Sequence, residues 1–177
     1  MCFDGSDKFR MFDFLSKQIS SEPQIFLRRA QSDDFEFINE VQFSEMKDIL
    51  KKAWNNKFSF EAWFYDIEEA AKGAFHKVFI VEVQKSSIGY LWLNREPQNL
   101  WITAIVLQTD WQRRGIGEKI MHYLIGECRK ERLNAIELGV QHNNERALNF
   151  YSKIGFKQYD HLKEANTDLL RLDFKDI

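Results

Sequence analysis

Proline is nearly missing from this chain, with 2 in 177 residues, and glycine is scarce at 8. That scarcity excludes a collagen-like, low-complexity or disordered polypeptide. Cysteine is as rare. Cys2 and Cys128 form no CxxC pair, which argues against a disulfide framework or a zinc knuckle. No apolar run approaches the ~20 residues that a membrane-spanning helix needs. The N-terminus lacks an apolar h-region and a small-residue cleavage site, which argues against a secretory signal. A formal charge of −2 gives no general attraction to nucleic acid. What is present, 44% hydrophobic and 29% charged residues, is the mix of a soluble globular protein, and the length fits one domain.

Because glycines are few, their placement carries information: five of the eight fall between positions 115 and 155. In residues 1–23, Phe9, Met11, Phe12, Leu15 and Ile19 recur at three- and four-residue spacing. This predicts a short helix docked on the domain as an N-terminal extension, ended by Pro23. Ile25–Arg29 reads as a strand. Ser32 is the expected N-cap of a helix with Phe35, Ile38 and Phe43 on or near its buried face. Two further helices are expected over 45–55 and 60–71, the second ended by Gly73. Strands follow over 77–84 and 87–93, joined by a Lys85-Ser86 turn, and over 99–107. Ile116, Ile120, Leu124 and Cys128 recur every four residues and predict a long helix over 115–131. A strand over 134–141 precedes a helix over 145–154, capped by Asn144 and ended by Gly155. Strands over 156–159 and 169–174 complete the pattern. The expected fold is α+β: a single domain over 24–177, with a mixed, mostly antiparallel sheet flanked by helices.

The segment that carries chemistry is Leu107–Gly117, a strand end, a polar loop and two glycines that open a helix. The first backbone N–H groups of a helix have no intrahelical partner and can bind an anion, helped by the helix dipole. Arg113, Arg114 and Lys119 add positive charge. Residues 112–132 hold six Lys/Arg against three Glu, a net +3. A Walker A loop is absent, and Ile120 stands where a dinucleotide fingerprint needs its third glycine. The pattern therefore predicts a phosphate-bearing ligand of another class.

Gln112-Arg113-Arg114-Gly115-Ile116-Gly117 resembles the acyl-CoA loop Q/R-x-x-G-x-G/A of the GNAT superfamily of N-acetyltransferases. Asn144, Ala147, Tyr151, Gly155 and Phe156 match a second segment of that family, N-x-x-A-x-x-x-Y-x-x-x-G-F. The resemblance extends over about residues 25–175, with Gly89 at the usual place in the third strand. It implies a GNAT-like acyl-CoA transferase fold and acetyl-CoA as co-substrate. Ile105, Val106 and Leu107, on a strand that splays from its neighbour, would hold the pantetheine arm and thioester. Gln112, Arg113, Arg114, Gly115, Ile116, Gly117 and Asn144 complete the implied cofactor site, and Tyr151 would give the departing sulfur its proton. The implied reaction is direct attack by a primary amine in a ternary complex in the cytoplasm, with neither nucleic acid nor membrane as partner. A homodimer stays open.

Some family members carry a base glutamate where this chain has Trp101, which leaves Glu82, Glu137 or a water chain as base. His76, His122, His142 and His161 show no metal-ligand spacing, so no metal is expected. Residues 31–70 hold ten Asp/Glu against four Lys, a net −6, which would favour a small cationic acceptor. Trp54, Phe58, Phe60, Trp63, Phe64 and Tyr65 lie in the same segment, as a cation-binding pocket or as core. Three alternatives remain open: a protein N-terminal or lysine acetyltransferase, a non-catalytic acyl-CoA sensor and, more distantly, a phosphate-loop nucleotidase.

Overall fold

Apolar runs become strands and four-residue stripes become helices in the computed structural model, which describes residues 16–72 and 76–174. The order is β1 (Ser16–Ser21), β2 (Gln24–Arg29), α1 (Phe35–Ala53), α2 (Phe60–Lys72), β3 (His76–Val83), β4 (Ser86–Arg95) and β5 (Asn99–Leu107). It continues with α3 (Ile116–Lys130), β6 (Ala135–Gln141), α4 (Glu145–Ile154), β7 (Lys157–Leu162) and β8 (Thr167–Asp173). All eight strands join one sheet in the order β1-β2-β3-β4-β5-β6-β8-β7. Every pairing is antiparallel except β5 with β6, where α3 supplies the crossover that parallel neighbours require.

The continuous apolar run of β3 reflects a sheet covered on both faces. Phe79, Val81 and Val83 join a core containing Ile116, Ile120, Leu124 and Cys128 of α3 and Tyr151 of α4. Val78 and Ile80 face the other way, into a cluster with Ile38 and Val41 of α1 and Ile67 of α2. The expected α+β domain and its mixed, mostly antiparallel sheet are what the structure shows. Among the described residues, no helix is long and apolar enough to cross a membrane.

Several local expectations change. The two helices expected over residues 32–55 are one, α1, because no glycine or proline interrupts positions 35–53. A 3-10 turn over Ser32–Asp34 precedes it, with Gln31 rather than Ser32 at the cap. Phe43 is 44% exposed instead of buried; its ring packs on Phe60 and lies under the Lys47 ammonium. The β3–β4 turn is made by Gln84 and Lys85, both at positive φ, which suits the twist of a tight hairpin. Ser16–Ser21, including Ile19, form an antiparallel edge strand rather than the end of a helix. The rest of the predicted N-terminal helix, and Gly73 as a helix stop, lie outside the described residues.

Candidate active site

The centre of the sheet opens between two strands that begin as neighbours. β5 pairs with β6 only from Asn99–Ile102 against Ala135–Leu138, and the remaining residues of the two strands diverge. On its other side β5 stays paired with β4 through Leu107 opposite Gly89. The Gln108 N–H donates to the Ile88 carbonyl, so the alternation of an antiparallel ladder turns the peptide groups of Leu107 and Ile105 away from β4. Those amides face the gap. Gly89 makes this approach feasible: a Cβ there would lie 2.2 Å from the Val106 carbonyl oxygen.

A cleft of about 770 Å³ runs from this gap along the start of α3. Gly115, at φ 75°, caps α3 in the left-handed region that a side chain would strain. The Lys119 N–H is the first to close onto the Gly115 carbonyl. The amides of Ile116, Gly117 and Glu118 therefore precede the helical ladder, and all three residues line the cleft. Arg113, Arg146 and Lys153 bring positive charge to it, against Glu45, Glu118 and Glu145. A Cβ on Gly117 would meet the Phe150 ring at 3.4 Å, an ordinary contact, so packing of α3 on α4 does not by itself require glycine here.

Gln112 holds the loop together. Its amide nitrogen donates to the Leu107 carbonyl at 2.6 Å and to Glu45 at 3.0 Å, and its amide oxygen accepts from Arg146. Glu45 also accepts from the backbone N–H and hydroxyl of Thr109, at 2.9 and 2.8 Å. One carboxylate on α1 thus fixes the loop between β5 and α3.

Tyr151 lies on α4 as expected, with Asn144 accepting from the Ala147 N–H at the helix start and Gly155 at φ 109° at its end. The tyrosine is buried against Phe156, ring centroids 5.4 Å apart. Burial pushes its phenol well above the ordinary tyrosine value, so it remains protonated and able to donate.

A second cavity, about 170 Å³, opens on the far side of the gap. Gln42, Met46 and Leu50 of α1 and Trp54 at its C-cap line it at strict four-residue spacing, and Phe58 and Trp63 close it. Met46, Ile105, Val106, Asn144, Ala147 and Tyr151 line both spaces. The two cavities therefore meet at the tyrosine.

The structure brings together Ile105, Val106, Leu107, Gln112, Arg113, Gly115, Ile116, Gly117, Asn144 and Tyr151 along the cleft. Arg114 is not among its lining residues; its guanidinium stacks on Trp111, 5.0 Å from the ring centroid. Neither glutamate considered as base reaches either cavity. Glu82 accepts from Arg28 at 2.9 Å, and Glu137 pairs with Arg171 and Asn99. Of the ten acidic residues in 31–70, only Glu45 lines either space. Trp54, Phe58 and Trp63 are cavity walls, whereas Tyr65 is 66% exposed. Glu45, Gln42, Met46 and Leu50 are the residues that sequence reasoning missed; the four-residue spacing of the last three with Trp54 was the available signal.

The sequence pattern of the acetyltransferase (GNAT) family matches residues 43–156. N-alpha-acetyltransferase 50 of Danio rerio is 27% identical over 110 residues, 62% of this chain and 62% of that protein. The chain spans about three fifths of the length of the protein relatives it matches. An acetyltransferase from Thermus thermophilus superposes with a TM-score of 0.70 at 14% identity, over 89% of this chain and 100% of that one. Spermidine N-acetyltransferase from Vibrio cholerae, solved with CoA and spermine, gives 0.62 at 20% identity, over 83% and 92%. At such identities the structural likeness establishes the fold.

Proposed function

This chain belongs to the acetyltransferase (GNAT) family, and from that premise we propose that it moves the acetyl group of acetyl-CoA to a primary amine by direct attack in a ternary complex. The meeting of the two cavities at Tyr151 carries this reading. The larger takes the cofactor, with its phosphates at the amides of α3 and Arg113 and its pantetheine arm in the gap beside Ile105, Val106 and Leu107. The smaller takes the amine. Reacting atoms held side by side in this way avoid most of the entropic cost of a bimolecular encounter.

Attack on the thioester carbonyl gives a tetrahedral oxyanion, and the amides facing the gap are placed to donate to it. Collapse breaks the carbon–sulfur bond, and the protonated Tyr151 phenol supplies the departing thiolate with its proton. The amine must first lose a proton. Glu82 and Glu137 are engaged in ion pairs elsewhere, so the base role falls to water leading out of the cavity. An aromatic, uncharged cavity favours the neutral, attacking form of the amine by desolvation. The faces of Trp54, Phe58 and Trp63 suit a small cation on its way in.

A second reading draws on the lack of any carboxylate among the described residues that line the smaller cavity. A polyamine needs counter-charge for its remote ammonium groups. The α-amine of a peptide whose first side chain is apolar does not, and the Danio rerio relative bears the name of an N-alpha-acetyltransferase. Thiol release from acetyl-CoA, measured with polyamines, amino acids and peptides in parallel, separates these acceptors. Stabilisation by acetyl-CoA with no turnover on any amine would replace both readings with a sensor.

A further inference from the structure

Two strands and the turn that follows a third deliver nitrogen and oxygen donors to one point at the end of the sheet, outside the two cavities. In the register of β7 on β8, His161 lies opposite Asp168. In the register of β6 on β8, Val140 lies opposite the same Asp168, and the ladder continues with the His142 N–H on the Asn166 carbonyl at 2.8 Å. Side chains of directly paired residues, and of residues two apart on a strand, share a face. His142, His161 and Asp168 therefore extend the row of Leu138, Leu170 and Leu172 that faces the core.

The side chains converge as the backbone dictates. His142 Nδ1 is 2.8 Å from one Asp168 oxygen, and His161 Nδ1 is 2.6 Å from the other. Gln158 donates to the same carboxylate at 3.0 Å. Ligand atoms from the two histidines and the aspartate all lie within 4.8 Å of one another. The Asp168 side chain is 3% exposed and fixed, His161 is 33% exposed and His142 is 64% exposed, so the two rings retain room to adjust.

We propose that His142, His161 and Asp168 form a binding site for a divalent first-row metal ion, of which zinc is the best match. Two imidazoles and one carboxylate are a common donor set for this class, and a water completes four-coordination on the open side of His142. In the metal-free state each imidazole carries its proton on Nδ1 and donates it to the carboxylate. When the ion binds, each proton moves to Nε2 and each Nδ1 lone pair turns to the metal. With metal–ligand distances of ~2.0–2.2 Å, tetrahedral donors stand roughly 3.3 Å apart. The N–O separations of 2.8 and 2.6 Å must open by about 0.5 and 0.7 Å, within reach of ring rotation. The ion would tie β6, β7 and β8 together two residues before Asn144, the cap of the helix that carries Tyr151.

The test is titration of the tag-free, full-length protein with Co²⁺ and with Zn²⁺, following the visible absorption of Co²⁺ and the melting temperature. The expected result is one ion per chain, a tetrahedral Co²⁺ spectrum and a metal-dependent rise in Tm. His142→Ala, at the most exposed ligand, should weaken binding by at least about tenfold, as should His161→Ala. His122→Ala, on the exposed side of α3, should bind as the parent does. Circular dichroism and acetyl-CoA-induced stabilisation report that each variant is folded. Absence of stoichiometric binding, or binding equal in parent and His142→Ala, would overturn the site and leave the hydrogen-bonded cluster as a purely protein contact.

Discussion

Replacing Gly89 with alanine probes the geometry on which acetyl transfer is proposed to depend. The new Cβ would lie 2.2 Å from the Val106 carbonyl oxygen, 2.9 Å from the Leu107 Cα and 2.9 Å from the Leu107 Cδ2. The leucine side chain can rotate away; the two backbone atoms cannot. Ordinary contact starts at 3.4 Å, so β5 must retreat by about 1 Å where the thioester carbonyl is to be held. Overpacking of this kind costs about 1–3 kcal/mol, or roughly 2–12 °C in Tm for a chain of this size. A shift of ~1 Å at reacting groups costs about a hundredfold in rate. Gly89→Ala should therefore remain folded, melt lower and lose kcat/KM by about two orders of magnitude, read as thiol release at several acetyl-CoA concentrations. A variant that melts lower yet keeps kcat/KM within about twofold would refute the role of Val106–Leu107 in placing the thioester. One unchanged in both respects would refute the close approach itself.

Tyr151→Phe keeps the ring that packs on Phe156 and removes only the proton donor; turnover should fall by about 10²–10⁴-fold while acetyl-CoA affinity by calorimetry stays the same. Arg113→Ala should raise the KM for acetyl-CoA, whereas Arg114→Ala, which stacks on Trp111, should change it little; equal effects would place Arg114 in the cleft as well. Trp54→Leu should raise acceptor KM more than it lowers Tm. Trp63→Leu should do the reverse, since its ring also packs on Tyr90 and Trp92. Asp34 is held below the ordinary aspartate range by hydrogen bonds from Arg28, which outweigh its burial. A folded value below the unfolded one means the contribution is complete above the ordinary value of ~3.9 and fades as pH falls through the folded value. The stability gap between parent and Asp34→Asn in urea should thus be widest near neutral pH and shrink below about pH 4; a gap that widens in acid would refute this.

Many local signals in the chain match the fold, the exceptions including the Ser32 cap, the break expected within α1 and the Lys85-Ser86 turn. Caps, apolar stripes and loop residues act over four or five positions, so Asn144, Gly155, the α3 stripe and the Gln112–Gly117 loop stand in the sequence as they stand in the fold. At the candidate site, prediction departed from structure where the deciding interaction was long-range. Glu82 and Glu137 looked available as bases until strand register set them beside Arg28 and Arg171. The charge of residues 31–70 suggested a cationic acceptor, but burial favours uncharged side chains, and the cavity wall is Trp54, Phe58 and Trp63 with no carboxylate among them. Glu45 is 64 positions from Thr109, and only the docking of α1 over the loop brings them together.

Short-range period, capping and motif spacing suffice for most of the secondary elements, the α+β class and the family, with the edge strand β1 and the unbroken α1 as exceptions. Tertiary structure alone decided where β5 and β6 part, that two cavities meet at Tyr151, and that His142, His161 and Asp168 converge. Each is a matter of register between strands far apart in the chain, and a one-residue slip would turn every one of those side chains to the other face.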